Sequence, residues 1–418
     1  MPFKRPDEAY VWVWLPGQAA PVVAGLLARV GDRLVFNYGQ SYLSRNDAIA
    51  LYEPELPLRA GRLPLQPGQI MPNCLRDASP DAWGRRVLIN RILGLKGARA
   101  AQVELDELVY LLQSGSDRIG ALDFQGSPTA YVPRQGRTAS LDELLESAER
   151  VEAGTPLTPQ LEEALQHGSS IGGARPKALI DVGDRKYIAK FSSHGDTYNI
   201  VKVEFVAMRL AARLGLAVAS VRLERALGKD VLLIERFDRE RTQAGWCRKA
   251  MVSALTMLEL DEMMARYASY ETLAEIIRHR FADPQRDLRE LFARMTYNIL
   301  CGNIDDHARN HAAFWDGRTL RLTPAYDICP QDRIGLEASQ AMLISGNGRA
   351  SHLALCLEVA PRFLLGPVEA RSLIDRQIEL IEREWAAVCD EAELSESDRK
   401  YFWGRQFLNP FAFQGYRP

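Results

Sequence analysis

The segment Asn303-Ile304-Asp305-Asp306-His307-Ala308-Arg309-Asn310, followed by Tyr326-Asp327, gathers the side chains best suited to chemistry in this sequence. Phosphoryl transfer needs a carboxylate to orient an attacking hydroxyl and accept its proton. It also needs oxygen ligands for the metal ions that bridge nucleotide phosphates. In protein kinases the base Asp and a metal-binding Asn stand five positions apart, and a second Asp follows on a strand-like segment. Asp305 and Asn310 keep that spacing, and Asp327 follows the β-like stretch Thr319–Leu322. An Asp, an Asn and an Asp suit hard Mg²⁺. Asp-x-x-x-x-Asn alone is common in loops, so its weight rests on its context.

That context lies upstream. Lys190 closes the apolar run Tyr187-Ile188-Ala189-Lys190-Phe191, and Glu204 falls in the helical pattern after it. A strand lysine paired with a helix glutamate is how kinases hold the α- and β-phosphates of ATP. Ser169-Ser170-Ile171-Gly172-Gly173-Ala174-Arg175-Pro176-Lys177 precedes the first strand of this block. Adjacent glycines let backbone N–H groups approach a phosphate, although Pro176 removes one donor. Val231 to Asp238 runs from a buried strand into a polar segment, where an adenine would meet backbone groups.

The elements that must position these residues are legible in outline. Tyr10–Leu15 and Arg33–Tyr38 read as strands. Ser79-Pro80-Asp81 opens a helix through Ile92 that stops at Gly94, and Gln102–Gln113 reads as a second helix. Residues 127–168 form a polar connection around a helix starting near Ser140. Ala178–Val182 and Tyr187–Phe191 flank Gly183-Asp184 as a hairpin. A helix over Asn199–Leu214 and strands near Ser220–Glu224 and Val231–Ile234 complete a small antiparallel sheet with one helix. Beyond Asp238 the chain reads as mostly helical, most clearly at Glu271–Phe281, Leu288–Leu300 and Ala370–Val388. The predicted fold is α+β: an N-terminal α/β subdomain over 1–130, a small β-rich lobe over 131–238 and a larger helical lobe over 239–418, the plan of a protein-kinase-like core.

Composition sets outer limits. A net charge of −2, from 52 basic and 54 acidic side chains, argues against a surface built wholly for nucleic acid. The six cysteines show no C-x-x-C spacing, which fits a reducing compartment better than a disulfide framework. No apolar run is long enough for a membrane span, and none at the N-terminus suits a signal peptide, so a cytoplasmic location is expected.

Ser170 to Lys177, Ile188-Ala189-Lys190, Glu235 to Arg239, Gly302 to Asn310 and Leu322 to Ile328 together resemble the HipA-type serine/threonine kinases, toxin components of bacterial toxin–antitoxin pairs. Asp81 to Arg86 and Asp117 to Phe124 resemble the domain that precedes the kinase core in that family. The resemblance implies ATP and Mg²⁺ as cofactors, with Asp305 as base, Asn310 and Asp327 as metal ligands, and Lys190 as the phosphate-binding lysine. It makes Glu235 and Phe237 the adenine-contacting backbone and Ile171, Gly172, Gly173 and Ala174 the phosphate loop. Glu204 and His307 are grouped with the nucleotide-binding residues. It implies autophosphorylation at Ser170, with Ser169 the neighbouring candidate, and a substrate-binding loop over Ser192–Asn199. A protein of translation, such as an aminoacyl-tRNA synthetase, is the implied substrate. A small helix-turn-helix antitoxin (HipB-like) is the implied partner, through which alone DNA would be reached. The chain departs from the family at Arg175-Pro176, where a polar pair is usual. A small-molecule phosphotransferase built on the same core, or a non-catalytic partner in an operator-binding repressor complex, are the alternatives.

Overall fold

The computed structural model describes residues 5–95, 102–135, 139–155, 157–166, 175–193, 195–333 and 335–416. The chain forms two compact units. The first comprises Met1–Gly195, Glu224–Val252 and Trp315–Arg318, and the second Asp196–Leu223, Ser253–Phe314 and Thr319–Pro418.

In the first unit, β1 (Glu8–Val13), β2 (Val22–Val30), β3 (Arg33–Tyr38) and β4 (Leu122–Gln125) form an antiparallel sheet in the order β3-β2-β1-β4. The apolar run of β1 suits this central place, where Val11 and Val13 are buried. Helix α1 (Ala82–Leu93) starts at Asp81 and ends at Gly94, as its sequence signals require. Helix α2 (Glu107–Gln113) begins five residues later than Gln102 because Asp106 caps it, accepting 3.0 Å from the Leu108 amide. Asp106 also receives Arg29 at 2.6 Å, which fixes the helix start against β2.

The connection after residue 127 holds α3 (Leu141–Glu152), opened by a Ser140/Glu143 capping box, and an unanticipated α4 (Pro159–Gln166). A second antiparallel sheet contains β5 (Lys177–Val182), β6 (Arg185–Phe191), β7 (Val221–Ala226) and β8 (Lys229–Glu235) in the order β5-β6-β8-β7. Gly183, at φ +58°, supplies the left-handed turn of its tight hairpin. One face of this sheet presents Ala178, Tyr187, Ala189, Phe191, Val231 and Leu233 to Trp83 and Val87 of α1 and Leu144 and Val151 of α3. Strand alternation therefore turns Lys177, Lys190 and Leu232 to the opposite face. Past Asp238 the chain is not yet helical. The hairpin β9 (Arg239–Thr242) and β10 (Gly245–Arg248) and the short β11 (Ala250–Ser253) come first.

The second unit is mainly helical. Helix α5 (Ile200–Arg213) opens at Asn199, whose side chain accepts 3.1 Å from the Lys202 amide. It lies along α8 (Pro367–Glu391), with Arg209 3.0 Å from Glu391 and Arg213 paired to Glu384 and Glu391. Between them in sequence come α6 (Tyr270–Arg280) and α7 (Pro284–Cys301), then β12 (Ala312–Trp315) and β13 (Leu320–Leu322), which are sheet neighbours. Helix α7 is the core of this unit, with Leu288, Leu291, Phe292, Met295 and Ile299 buried. Among the described residues no helix is long and apolar enough to cross a membrane.

Candidate active site

Helix α7 ends at Gly302, where φ is +74° and a Cβ would lie 2.7 Å from the Gln406 carbonyl oxygen. Only glycine fits there, and it turns the chain into the Asn303–His311 loop. Asn303 anchors the loop back on the helix, its amide and Nδ2 donating to the main-chain and side-chain oxygens of Asn298 at 2.9 and 3.0 Å. The amides of Gln331 and Ala341 hold the carbonyls of Gly302 and Ile304 at 3.0 and 3.1 Å. The loop is fixed along its first half.

Two adjacent aspartates then part company. Asp305 is exposed, whereas the Asp306 side chain is only 3% exposed. Asp306 receives the Tyr270 hydroxyl, and His311 Nε2 lies 3.0 Å from its Oδ1. A buried carboxylate needs such partners, and these commit Asp306 to the interior. Asp305 is left facing outward on a short turn, in which the His307 amide donates to the Asp305 carbonyl at 2.8 Å. Half-buried His307 precedes a single 3₁₀ turn, Ala308–Asn310. Asn310 Nδ2 reaches back to the same Asp305 carbonyl at 3.2 Å, which leaves its Oδ1 as an acceptor.

Asp327 adopts φ +59°, an uncommon conformation for a residue with a side chain. Its position is set from three directions. The preceding Ala325 carbonyl and amide bond Ala219 and Ala217 at 2.9 and 2.7 Å, and the Tyr326 hydroxyl donates to the Arg309 carbonyl at 2.7 Å. Asn303 Nδ2 lies 3.5 Å from the Asp327 carbonyl. The structure thus cross-ties the segments carrying Asp305, Asn310 and Asp327 within the second unit. Among the described residues no cluster of three His, Cys, Asp or Glu could enclose a metal. One carboxylate and one amide oxygen fit Mg²⁺, which commonly takes its remaining ligands from phosphates and water.

In the first unit, Lys190 is 8% exposed on β6. Lys177, 5% exposed, stands directly opposite it on β5, a pairing that the motif reading, which quoted Lys177 without a role, did not draw. Counting back through the two-residue Gly183-Asp184 turn would have found it. The pairing sets two lysines opposite each other on one face of the hairpin. Glu235 closes β8 opposite Tyr187, its carboxylate taking 2.7 Å from Arg185, and Phe237 follows half-buried. Glu204 is buried on α5 in the second unit. Ser169, Ser170, Ile171, Gly172, Gly173 and Ala174 lie outside the described residues.

The family model for the HipA-like C-terminal domain matches residues 169–385, and that for the HipA N-terminal domain matches residues 12–125. The Sinorhizobium fredii protein "Putative kinase Y4mE" is 26% identical over 328 residues, 72% of each chain. The "Serine/threonine-protein kinase toxin HipA" of Shewanella oneidensis is 22% identical over 245 residues, 52% of this chain and 55% of that protein. The solved Shewanella oneidensis MR-1 complex of HipA, HipB and operator DNA contains a chain that superposes with a TM-score of 0.69 at 20% identity, over 94% of this chain and 93% of that one. That likeness shows the shared fold, the kinase-like α+β architecture expected from the sequence. With both domain models matched in order along the sequence, this chain belongs to the HipA-type kinase family.

Proposed function

We propose that this chain is an ATP- and Mg²⁺-dependent serine/threonine protein kinase acting as a toxin on a protein of translation, with Asp305 as its base. The observation that carries the reading is the contrast between exposed Asp305 and buried Asp306 on a loop anchored at both ends. Asp305 orients the acceptor hydroxyl and takes its proton. Asn310 both fixes the Asp305 main chain and, with Asp327, offers oxygen to Mg²⁺. Lys190 compensates phosphate charge, and Glu204, His307 and the Glu235–Phe237 main chain serve nucleotide binding. Bound Mg·ATP supplies the transferable phosphoryl group. Residues 1–130, 131–238 and 239–418 serve as accessory subdomain, nucleotide lobe and catalytic lobe.

Regulation follows from the same chemistry. A phosphate on Ser170 would bring roughly −1.5 to −2 charge beside the Ile171–Ala174 loop, compete for its N–H donors and switch the enzyme off. The Shewanella relative was solved with HipB and operator DNA, and a helix-turn-helix antitoxin of that kind is the proposed partner here, reaching DNA on this chain's behalf in the cytoplasm. The test is incubation of the purified protein with γ-labelled ATP and cell lysate, followed by mass spectrometry. Label on a translation protein, and on Ser170 of the chain itself, is expected. Label confined to small molecules, or no transfer at all, would overturn the proposal.

A further inference from the structure

The segment after β8 alternates sharply. Arg236 and Asp238 are buried, whereas Glu235 before them and Phe237 between them are half-exposed. The inward pair enters a charge network with Asp117–Gly120, a stretch more than a hundred residues earlier in the same unit. Arg236 spans two carboxylates, at 3.0 Å from Asp117 Oδ1 and 2.8 Å from Asp238 Oδ2, and donates 2.7 Å to the Arg118 carbonyl. Arg239 donates to Asp117 Oδ1 at 2.8 Å and to the Gly120 carbonyl at 2.9 Å. The Gly120 amide closes the ring by donating to Asp238 Oδ2 at 2.8 Å.

The Arg236 guanidinium, wholly buried, has carboxylate partners on both sides, so the network is satisfied as well as buried. Its consequence is mechanical. Residues 236, 238 and 239 are pinned, and residue 237 between them has little freedom of its own. The Arg236 amide also donates to the Lys186 carbonyl at 2.8 Å, and Lys186 Nζ lies 3.4 Å from Asp117 Oδ2. Asp117 therefore touches the network from the sheet side as well.

We infer that Asp117 is a positioning residue for nucleobase recognition: through Arg236 and Arg239 it holds the Glu235–Phe237 main chain in the register that reads adenine. This rests on the kinase reading and on Glu235 and Phe237 as the adenine-contacting backbone. The N-terminal subdomain then sets nucleotide selectivity as well as shielding the small sheet.

The test uses the full chain with Asp117→Asn, which keeps size but removes the charge. Relative kcat/KM for ATP over GTP should fall roughly tenfold, with kcat at saturating ATP within about threefold of the parent. An unchanged ATP-over-GTP ratio in a folded variant would overturn the inference. So would a loss confined to kcat. Hydrogen exchange on the unmodified protein gives the answer without any variant. Added ATP should slow exchange in the peptide carrying 117–120 together with that carrying 235–239. Protection of the second peptide alone would also overturn it. Should the unmodified protein bind no ATP, the kinase reading fails instead, and the two failures are thereby told apart.

Discussion

The Nδ2 amide of Asn310 donates a 3.2 Å hydrogen bond to the main-chain oxygen of Asp305. The proposed metal ligand thus also braces the proposed base, and the two roles share one side chain. Asn310→Asp would keep an oxygen for the metal but place a carboxylate against that carbonyl. Phosphoryl transfer should fall roughly 10- to 100-fold. Steady-state kinetics over a range of Mg²⁺ concentrations checks this, and full activity at high Mg²⁺ would deny the bracing role.

Asp305 and Asp306 should respond unequally to the same change. Asp306→Asn weakens a buried carboxylate that serves Tyr270 and His311 and should cost about 1–3 kcal/mol of stability. Asp305→Asn, at an exposed position, should stay within about 0.5 kcal/mol. Chemical denaturation of both variants measures the contrast, and equal losses would contradict the placement of these side chains.

This contrast also marks where the sequence stops being readable. Asp305, Asn310 and Asp327 could be singled out as candidates because their spacing is local and chemical, and Lys190 because a two-residue turn places it on a strand. The role of Asp306 depends on Tyr270, 36 residues earlier, and nothing in the local pattern indicates that partner. The same holds for Arg236 and Asp117, separated by 119 positions. The start of α2 was misplaced since the apolar pattern runs on upstream, while the boundary is set by Asp106 and its tertiary tie to Arg29.

Acid should destabilise the first unit. Burial alone would raise the carboxyls of Asp117, Asp123 and Asp238, but their arginine neighbours outweigh it and hold each below the ordinary range. The unfolded chain, with aspartates near ~3.9, then binds more protons than the folded one in this window, so stability rises with pH. The contribution is complete above about pH 4 to 5 and is lost as pH falls through the folded values. Glu55, raised by burial, works the other way, as one group against three. Urea midpoints at about pH 7 and about pH 3 should differ markedly, and Arg236→Ala should shrink the difference. A midpoint independent of pH would refute this.

Gly302→Ala tests the turn that delivers the catalytic loop. The left-handed backbone and the close Gln406 carbonyl leave no room for a methyl group. A loss on the order of 1–3 kcal/mol is expected in thermal unfolding, and an unperturbed melting temperature would show that the loop is not held as described.

The central claim is that Asp305 is the base of a nucleotide-dependent phosphoryl transfer. Its most direct test measures ATP affinity by calorimetry and label transfer from γ-labelled ATP on one preparation of Asp305→Asn beside the parent protein. A base contributes in the transition state far more than in nucleotide binding. Transfer should therefore drop roughly 10²- to 10⁴-fold while the affinity for Mg·ATP stays within about threefold. Transfer that survives the substitution, with ATP still bound, would contradict the account and move the base to another residue.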